Sequence, residues 1–271
     1  MYSTAFLYLR DPIVVPYYTS AGEQAGTLVL PDVFRVPVRH DLIRRVFLSE
    51  FTARLQPKGR DPMAGKRTSA RSIGAHHGVS RVPRIRGSMR AAFAPMTVGG
   101  RLAHPPRVEK KIHEEVNKRE RILGTMSALA ATARPELVRA RGHVFTAEAL
   151  PVIVESSVLT AVAKAREARQ LLQALGLYGD IERAKEGTRQ RAGKGKRRGR
   201  RLKKPVSLLV VVEDPRSPFA RAVKGFPGVT VAEPSNVNVL HLAPGGVPGR
   251  LTLITTGALQ ALARRFEVAQ P

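Results

Sequence analysis

Hydrophobic positions along the chain fall into regions with different periods. Residues 2–9 and 12–18 read as short strands with Pro-marked ends, and residues 26–30 as another extended piece. Leu42, Val46, Phe47, Phe51 and Leu55 then recur at helical spacing and predict a helix over 41–55, which Pro57 ends. The periodicity vanishes through residue 107. It returns over 107–133, where Ile112, Val116, Leu123, Met126, Leu129 and Ala130 make one apolar face. Lys110, Lys111, Glu114, Lys118, Glu120 and Arg121 fill the other face.

Beyond residue 143, strands and helices alternate. Leu150-Pro151-Val152-Ile153-Val154 is an apolar run, and an amphipathic helix over 160–175 closes at Gly176. Val206 to Val212 is apolar almost throughout, as a strand buried on both faces should be. Ser217-Pro218 has the form of an N-cap followed by Pro at the first helical position, and Gly225 stands where that helix would stop. Val229-Thr230-Val231 and Leu251 to Thr255 read as strands, Val237 to Leu240 as a short strand or turn, and 257–266 as a helix. This alternation implies an α/β fold, a single globular domain with a mainly parallel sheet flanked by helices. Residues 1–56 and 107–271 are expected to share its core, with 57–107 as an extended loop.

Charge changes the picture. The chain has 271 residues and a formal net charge of +25. Segment 57–107 holds eleven bases against one acid, Asp61. The bases are Lys58, Arg60, Lys66, Arg67, Arg71, Arg81, Arg84, Arg86, Arg90, Arg101 and Arg107. Segment 185–204 also holds eleven against one: Lys185, Arg189, Arg191, Lys194, Lys196, Arg197, Arg198, Arg200, Arg201, Lys203 and Lys204 against Glu186. The remaining 200 residues hold 24 bases and 19 acids. An ordinary globule therefore carries two basic excursions, and a polyanion is their natural neutraliser.

The first excursion lacks the apolar residues to fold alone. Ordering it costs about 1–2 kcal/mol per residue, so it is expected to be flexible when free and ordered when bound. Arg outnumbers Lys there, which favours bidentate phosphate contacts. Phe93 is the only aromatic in either excursion, so base stacking is not the main mode. Phosphate neutralisation and Arg insertion into structured RNA fit better. Gly74, Gly78, Gly87, Gly99 and Gly100 permit close backbone approach to nucleic acid, and Pro83, Pro95, Pro105 and Pro106 limit the unbound conformations.

Enzyme and metal readings fail on spacing. No G-x-G-x-x-G follows a predicted strand. Gly187 to Gly195 has glycines at the wrong interval for a phosphate loop and puts Gly195 where Ser or Thr would hold magnesium. His113-Glu114-Glu115-Val116-Asn117 lacks the second His of a zinc protease helix. His76-His77 has no second ligand cluster nearby, so RNA contact or plain loop chemistry is the better reading of that pair. Glu155 and Glu213-Asp214 end predicted strands, where α/β enzymes keep ligands. Carboxylates at such turns commonly cap the next helix instead. With no cysteine, disulfides and thiolate metal sites are excluded. The N-terminal apolar run is too short for a signal peptide, and no stretch approaches the ~18–20 apolar residues of a membrane span. A soluble cytoplasmic protein is the expectation.

Several of these stretches are recognisable together. Gly74-Ala75-His76-His77-Gly78-Val79-Ser80-Arg81-Val82-Pro83-Arg84-Ile85-Arg86-Gly87 resembles the extended loop of the universal large-subunit ribosomal protein four family, in its archaeal and eukaryotic form. Arg90 to Pro95, Val98 to Pro106, Gly193 to Arg200, Ser235 to Asn238 and Leu242-Ala243-Pro244-Gly245-Gly246-Val247-Pro248-Gly249-Arg250-Leu251-Thr252 continue the match. Archaeal members often carry a longer, Trp-containing stretch near the loop tip, whereas His76-His77-Gly78 is short and has no Trp. The resemblance implies a structural, non-enzymatic constituent of the large ribosomal subunit that acts early in assembly. It implies large-subunit rRNA and neighbouring ribosomal proteins as partners. No cofactor is implied beyond magnesium ions associated with the rRNA. It also implies that the loop reaches the wall of the peptide exit tunnel, with Ser72, Gly74, His76, His77, Gly78, Arg81 and Arg84 near its tip. Arg71, Arg86 and Arg90 would lie against RNA there.

Overall fold

A computed structural model describes residues 11–267, so the strand expected at 2–9 lies outside the described residues. Contacts divide the chain into two units, Thr52–Glu114 and the segments flanking it, which together make the body.

In the body, β1 (Val14–Tyr18) and β2 (Gln24–Val29) form an antiparallel pair, and α1 spans His40–Thr52. The chain resumes with α2 (Lys118–Thr132), α3 (Pro135–Ala140), β3 (Val152–Val154), α4 (Val158–Ala161), α5 (Ala165–Ala174) and α6 (Tyr178–Glu186). A small ladder of β4 (Arg189–Gln190) and β5 (Leu202–Lys203) precedes β6 (Leu209–Val211) and α7 (Pro218–Lys224). The last elements are β7 (Thr230–Ala232), α8 (Val239–Leu242), β8 (Thr252–Thr255) and α9 (Thr256–Glu267). The main sheet has the order β2-β1-β3-β8-β6-β7. Among the described residues only the β1–β2 pair in it is antiparallel, so the expected mainly parallel α/β fold is what forms.

The central strands divide the core by their period of two. Ile153, Leu209, Val211 and Ile254 face one cluster, which α1, α2, α8 and α9 cover with Ile43, Val46, Met126, Leu129, Leu242 and Leu262. Val152, Val154, Leu208, Val210, Val212 and Leu253 face the other, which α5, α6 and α7 cover with Leu171, Leu172, Ile181, Phe219 and Val223. Both faces are buried, which explains why these strands read as continuous apolar runs. On α2, a Cβ at Gly124 would sit 2.7 Å from Val46 Cγ2, so the glycine lets α1 and α2 approach closely.

Some boundaries differ from the periodic reading. Residues 107–117 are not helical, and the second helix begins only at Lys118. Arg107 to Lys111 are exposed there, and Ile112 and Val116 are only half-buried. A helical turn whose apolar face is only partly packed is marginal in water, so periodicity alone does not sustain one. From Gly124 to Thr132, by contrast, α2 is buried on all sides. The helix expected over 160–175 is interrupted after Ala161. The Glu167 carboxylate accepts hydrogen bonds from the Ala163 and Lys164 amides, each at 3.1 Å, and starts α5 afresh. Its expected stop is present: the Leu177 amide donates to Leu172 O and the Gly176 amide to Gln173 O, with Gly176 at φ 67°. The piece over 237–240 opens a one-turn helix, because Asn238 Oδ1 accepts from the His241 amide at 3.2 Å.

Candidate nucleic-acid interface

None of residues 52–114 is buried. With no core of its own, this unit is organised by turns and short bridges. Arg71 and Arg84 exchange two backbone hydrogen bonds, Arg71 N to Arg84 O at 3.1 Å and Arg84 N to Arg71 O at 2.9 Å. On its other side Arg84 bridges to Ala91, so three strand-like pieces meet at Arg84. Its side chain is committed to the same place. Arg84 Nη1 donates to Met89 O at 2.7 Å and Nη2 to Ser80 Oγ at 3.1 Å. Of the bases assigned to RNA, Arg84 thus also ties the loop together. The Arg67 guanidinium pairs with Asp61, whose carboxyl is held below its ordinary range by that bond. Arg101 lies over the Phe93 ring, 5.6 Å from its centroid.

The other bases point away from the protein. Lys58, Arg60, Lys66, Arg71, Arg81, Arg86, Arg90 and Arg107 are exposed, as are His76 and His77 at the tip. His76 has φ 66°, a left-handed conformation uncommon for residues other than glycine. Open space surrounds the Cβ positions of Gly74, Gly78, Gly87 and Gly99, leaving room for a partner's backbone. Gly100 differs: a Cβ there would meet Ala94 O at 1.9 Å, so its small size serves the loop's own packing. Toward the base, an open cleft of about 1170 Å³ is lined by Lys58, Arg107, Lys110 and Lys111 among others.

The second basic segment has a scaffold that pattern reading missed. Arg189 pairs with Lys203 and Gln190 with Leu202, antiparallel, and the Arg191 amide donates to Arg201 O at 2.8 Å. The result is a hairpin whose loop makes a 3-10 turn over Lys194–Arg198 between Gly193 and Gly199, both at positive φ. Arg189, Arg191, Lys194, Lys196, Arg197, Arg198, Arg200, Arg201, Lys203 and Lys204 are all exposed on it, and Lys185 is exposed on α6 just before. Its feet are fixed. A Cβ at Gly187 would lie 2.8 Å from Pro205, and Arg183 Nη2 donates to Val206 O at 2.9 Å. The two-residue ladder is too short for a period-two pattern, and its only signal was the pair of glycines bracketing a basic turn.

The carboxylates at the strand ends are occupied locally. Ser156 Oγ donates to Glu213 Oε1 at 2.5 Å and accepts from the Gly257 amide at 3.0 Å, which caps α9. Glu155 accepts from Ser157 Oγ at 3.0 Å, and Asp214 from the Arg216 amide at 2.8 Å. They serve helix starts and turns, as carboxylates at such strand ends commonly do. Among the described residues, no His, Asp and Glu side chains group as a metal site would require, and no helix is long and apolar enough to cross a membrane.

An α/β body bearing a long basic loop and a basic hairpin matches a known sequence pattern. That of the Ribosomal protein L4/L1 family covers residues 28–265. The chain belongs to this family. Large ribosomal subunit protein uL4 of Aeropyrum pernix is 62% identical over 270 residues, covering 100% of this chain and 99% of that protein. Proteins of the same name from Sulfurisphaera tokodaii and Methanocaldococcus jannaschii are 52% and 53% identical, over 91% and 92% of this chain. These archaeal relatives place it in the archaeal branch of the family.

Proposed function

We propose that this family member is a structural, non-enzymatic constituent of the large ribosomal subunit and binds large-subunit rRNA. The observation that carries the reading is the placement of charge. Two segments with eleven bases and one acid each contain no buried base, while the rest of the chain is close to neutral. Bases held outside the core, many without acidic neighbours, are cations awaiting phosphates. Relatives matching along nearly the whole chain are named for the large ribosomal subunit, which supports the identity of the partner.

The loop supplies the deeper contact and the hairpin a second, on this reading. The loop tip, Ser72, Gly74, His76, His77, Gly78, Arg81 and Arg84, lies near the peptide exit tunnel. Neighbouring ribosomal proteins and RNA-associated magnesium complete its surroundings. The test is sucrose-gradient sedimentation with crosslink sequencing. The protein is expected in the large-subunit peak, with crosslinks from 58–106 and 189–204 to large-subunit rRNA. Sedimentation elsewhere, or crosslinks mainly to DNA, would refute the reading.

A further inference from the structure

A third group of basic side chains lies in the body, where neither basic segment predicted one. Arg141, His143 and Arg183 line a pocket of about 510 Å³ whose wall includes Val206, at the foot of the hairpin. Asp180 is fully buried beneath them. It accepts from Arg183 Nε at 2.8 Å and the Val144 amide at 3.1 Å, and lies 3.0 Å from His143 Nδ1. Burial opposes its ionisation, but the His143 and Arg183 contacts outweigh that and hold its carboxyl below the ordinary range. An ionised carboxylate only accepts, so His143 Nδ1 carries the hydrogen. That leaves Nε2, and it is buried with no hydrogen-bond partner on a side chain that is 2% exposed.

Arg183 pairs with Asp180, but the two other guanidiniums around this site have no carboxylate of their own. Arg141 is held by two backbone carbonyls, Nη1 on Val247 O and Nη2 on Pro244 O at 2.6 Å. Carbonyls fix the guanidinium without cancelling its charge. Arg250 is 2% exposed and bonded to Ser207 O, His241 O and Thr230 Oγ1, each at 2.8 Å. Burial and the Arg141 charge push its pKa down to about 9, against the opposing pull of Asp180. Burial, then the Arg183 charge, lowers that of Arg141 too. Three guanidiniums thus share one carboxylate in a partly dry site. A buried nitrogen without a partner, close to guanidiniums that outnumber the carboxylates, is one that a bound anion would satisfy.

We propose that this pocket holds one RNA backbone phosphate on Arg141 and Arg183, and that a small shift of the lining brings His143 Nε2, buried just behind the wall, to that phosphate or the adjoining ribose 2′-hydroxyl. The neutral ring can accept from the hydroxyl and the charged ring can donate to the phosphate, so RNA satisfies Nε2 in either state. The location agrees. Arg183 lies on the helix that leads into the hairpin and Val206 on the chain leaving it, so a strand following the basic hairpin arrives at the pocket.

The proposal rests on the RNA-binding function, and its test separates the two. In one arm, inorganic phosphate is titrated into the full-length protein while the His143 ring nitrogens are followed by long-range ¹H–¹⁵N NMR. The Nε2 signal should move with phosphate, not with chloride at equal ionic strength, and should stay still in Arg141→Gln. An unmoved signal in the wild type overturns the site. In the other arm, binding to an archaeal large-subunit rRNA transcript is measured across salt concentrations. His143→Asn keeps a donor for Asp180 and loses Nε2, and matching melting curves would verify its fold. It and Arg141→Gln should bind roughly five- to tenfold more weakly, and the salt slope of Arg141→Gln should fall by about one. Phosphate binding with unchanged rRNA affinity and slope overturns the RNA assignment and points to a free anion or a protein carboxylate. A wild type that takes phosphate but ignores rRNA refutes the functional reading and the RNA assignment together, leaving an anion pocket.

Discussion

The loop and the hairpin carry nearly the same net charge on opposite kinds of scaffold. From Thr52 to Glu114 no side chain is buried, and the chain is held by its own turns and by Arg84. The hairpin is a short ladder with both feet fixed to the body, by Pro205 against Gly187 and by Arg183 on Val206. Charge therefore names the partner, whereas the scaffold determines how much order must be supplied on binding. The loop brings reach at a large entropic cost, and the hairpin brings a preset surface at little cost.

Removing the loop tests the contrast most severely. The Glu114 amide donates to Thr52 Oγ1 at 3.1 Å, so the ends of this unit meet and a short Gly-Ser linker can replace 58–106. The shortened protein should melt close to the wild type. With about ten phosphate contacts gone, its rRNA affinity should drop by 10³ or more and its salt slope by roughly 7–9. A collapse in melting temperature would show that the body depends on the loop.

The hairpin's anchor is next. Asp180→Asn removes the buried charge that holds Arg183 and His143, and should cost roughly 3 kcal/mol in denaturant unfolding. The same carboxylate makes an acid prediction. Its folded pKa is depressed, so its contribution is fully present above the unfolded value of about 3.9 and is lost as pH falls through the folded one. Wild-type stability should therefore decline below about pH 4 more steeply than that of Asp180→Asn. Parallel profiles would remove Asp180 from the anchor.

Neutralising Lys194, Lys196, Arg197 and Arg198 together should leave stability unchanged and reduce the salt slope by about three to four. A loss of folding instead would mean that the turn is structural. The smallest effect separates two arginines of one loop. Arg86→Gln, an exposed position, should lower the slope by about one and leave proteolysis of the free protein unaltered. Arg84→Gln should speed cleavage across 71–91, because Arg84 bonds to Met89 O and Ser80 Oγ. Equal digestion patterns would contradict the assignment of Arg84 to the loop's own architecture.

What was legible in the chain follows physical range. Val152 to Val154 and Leu208 to Val212 announced strands buried on both faces, because a parallel sheet leaves no polar side. Ser217 and Gly176 announced a helix start and a helix stop, because capping is decided within a few residues. Residues 107–117 misled for the complementary reason: their spacing suits a helix, but the apolar face it would present is at most half-buried.

By itself, the sequence determined the α/β class, the two basic segments and their phosphate-seeking chemistry, since strand periodicity, caps and charge are local properties. Tertiary structure decided the rest. It spent Arg84 inside the loop, closed 189–203 into a hairpin, and brought Arg141, His143, Asp180, Arg183 and Arg250 into one site. Those five residues span more than a hundred positions. No local pattern reports which charges a fold gathers, or which buried nitrogen it leaves without a partner.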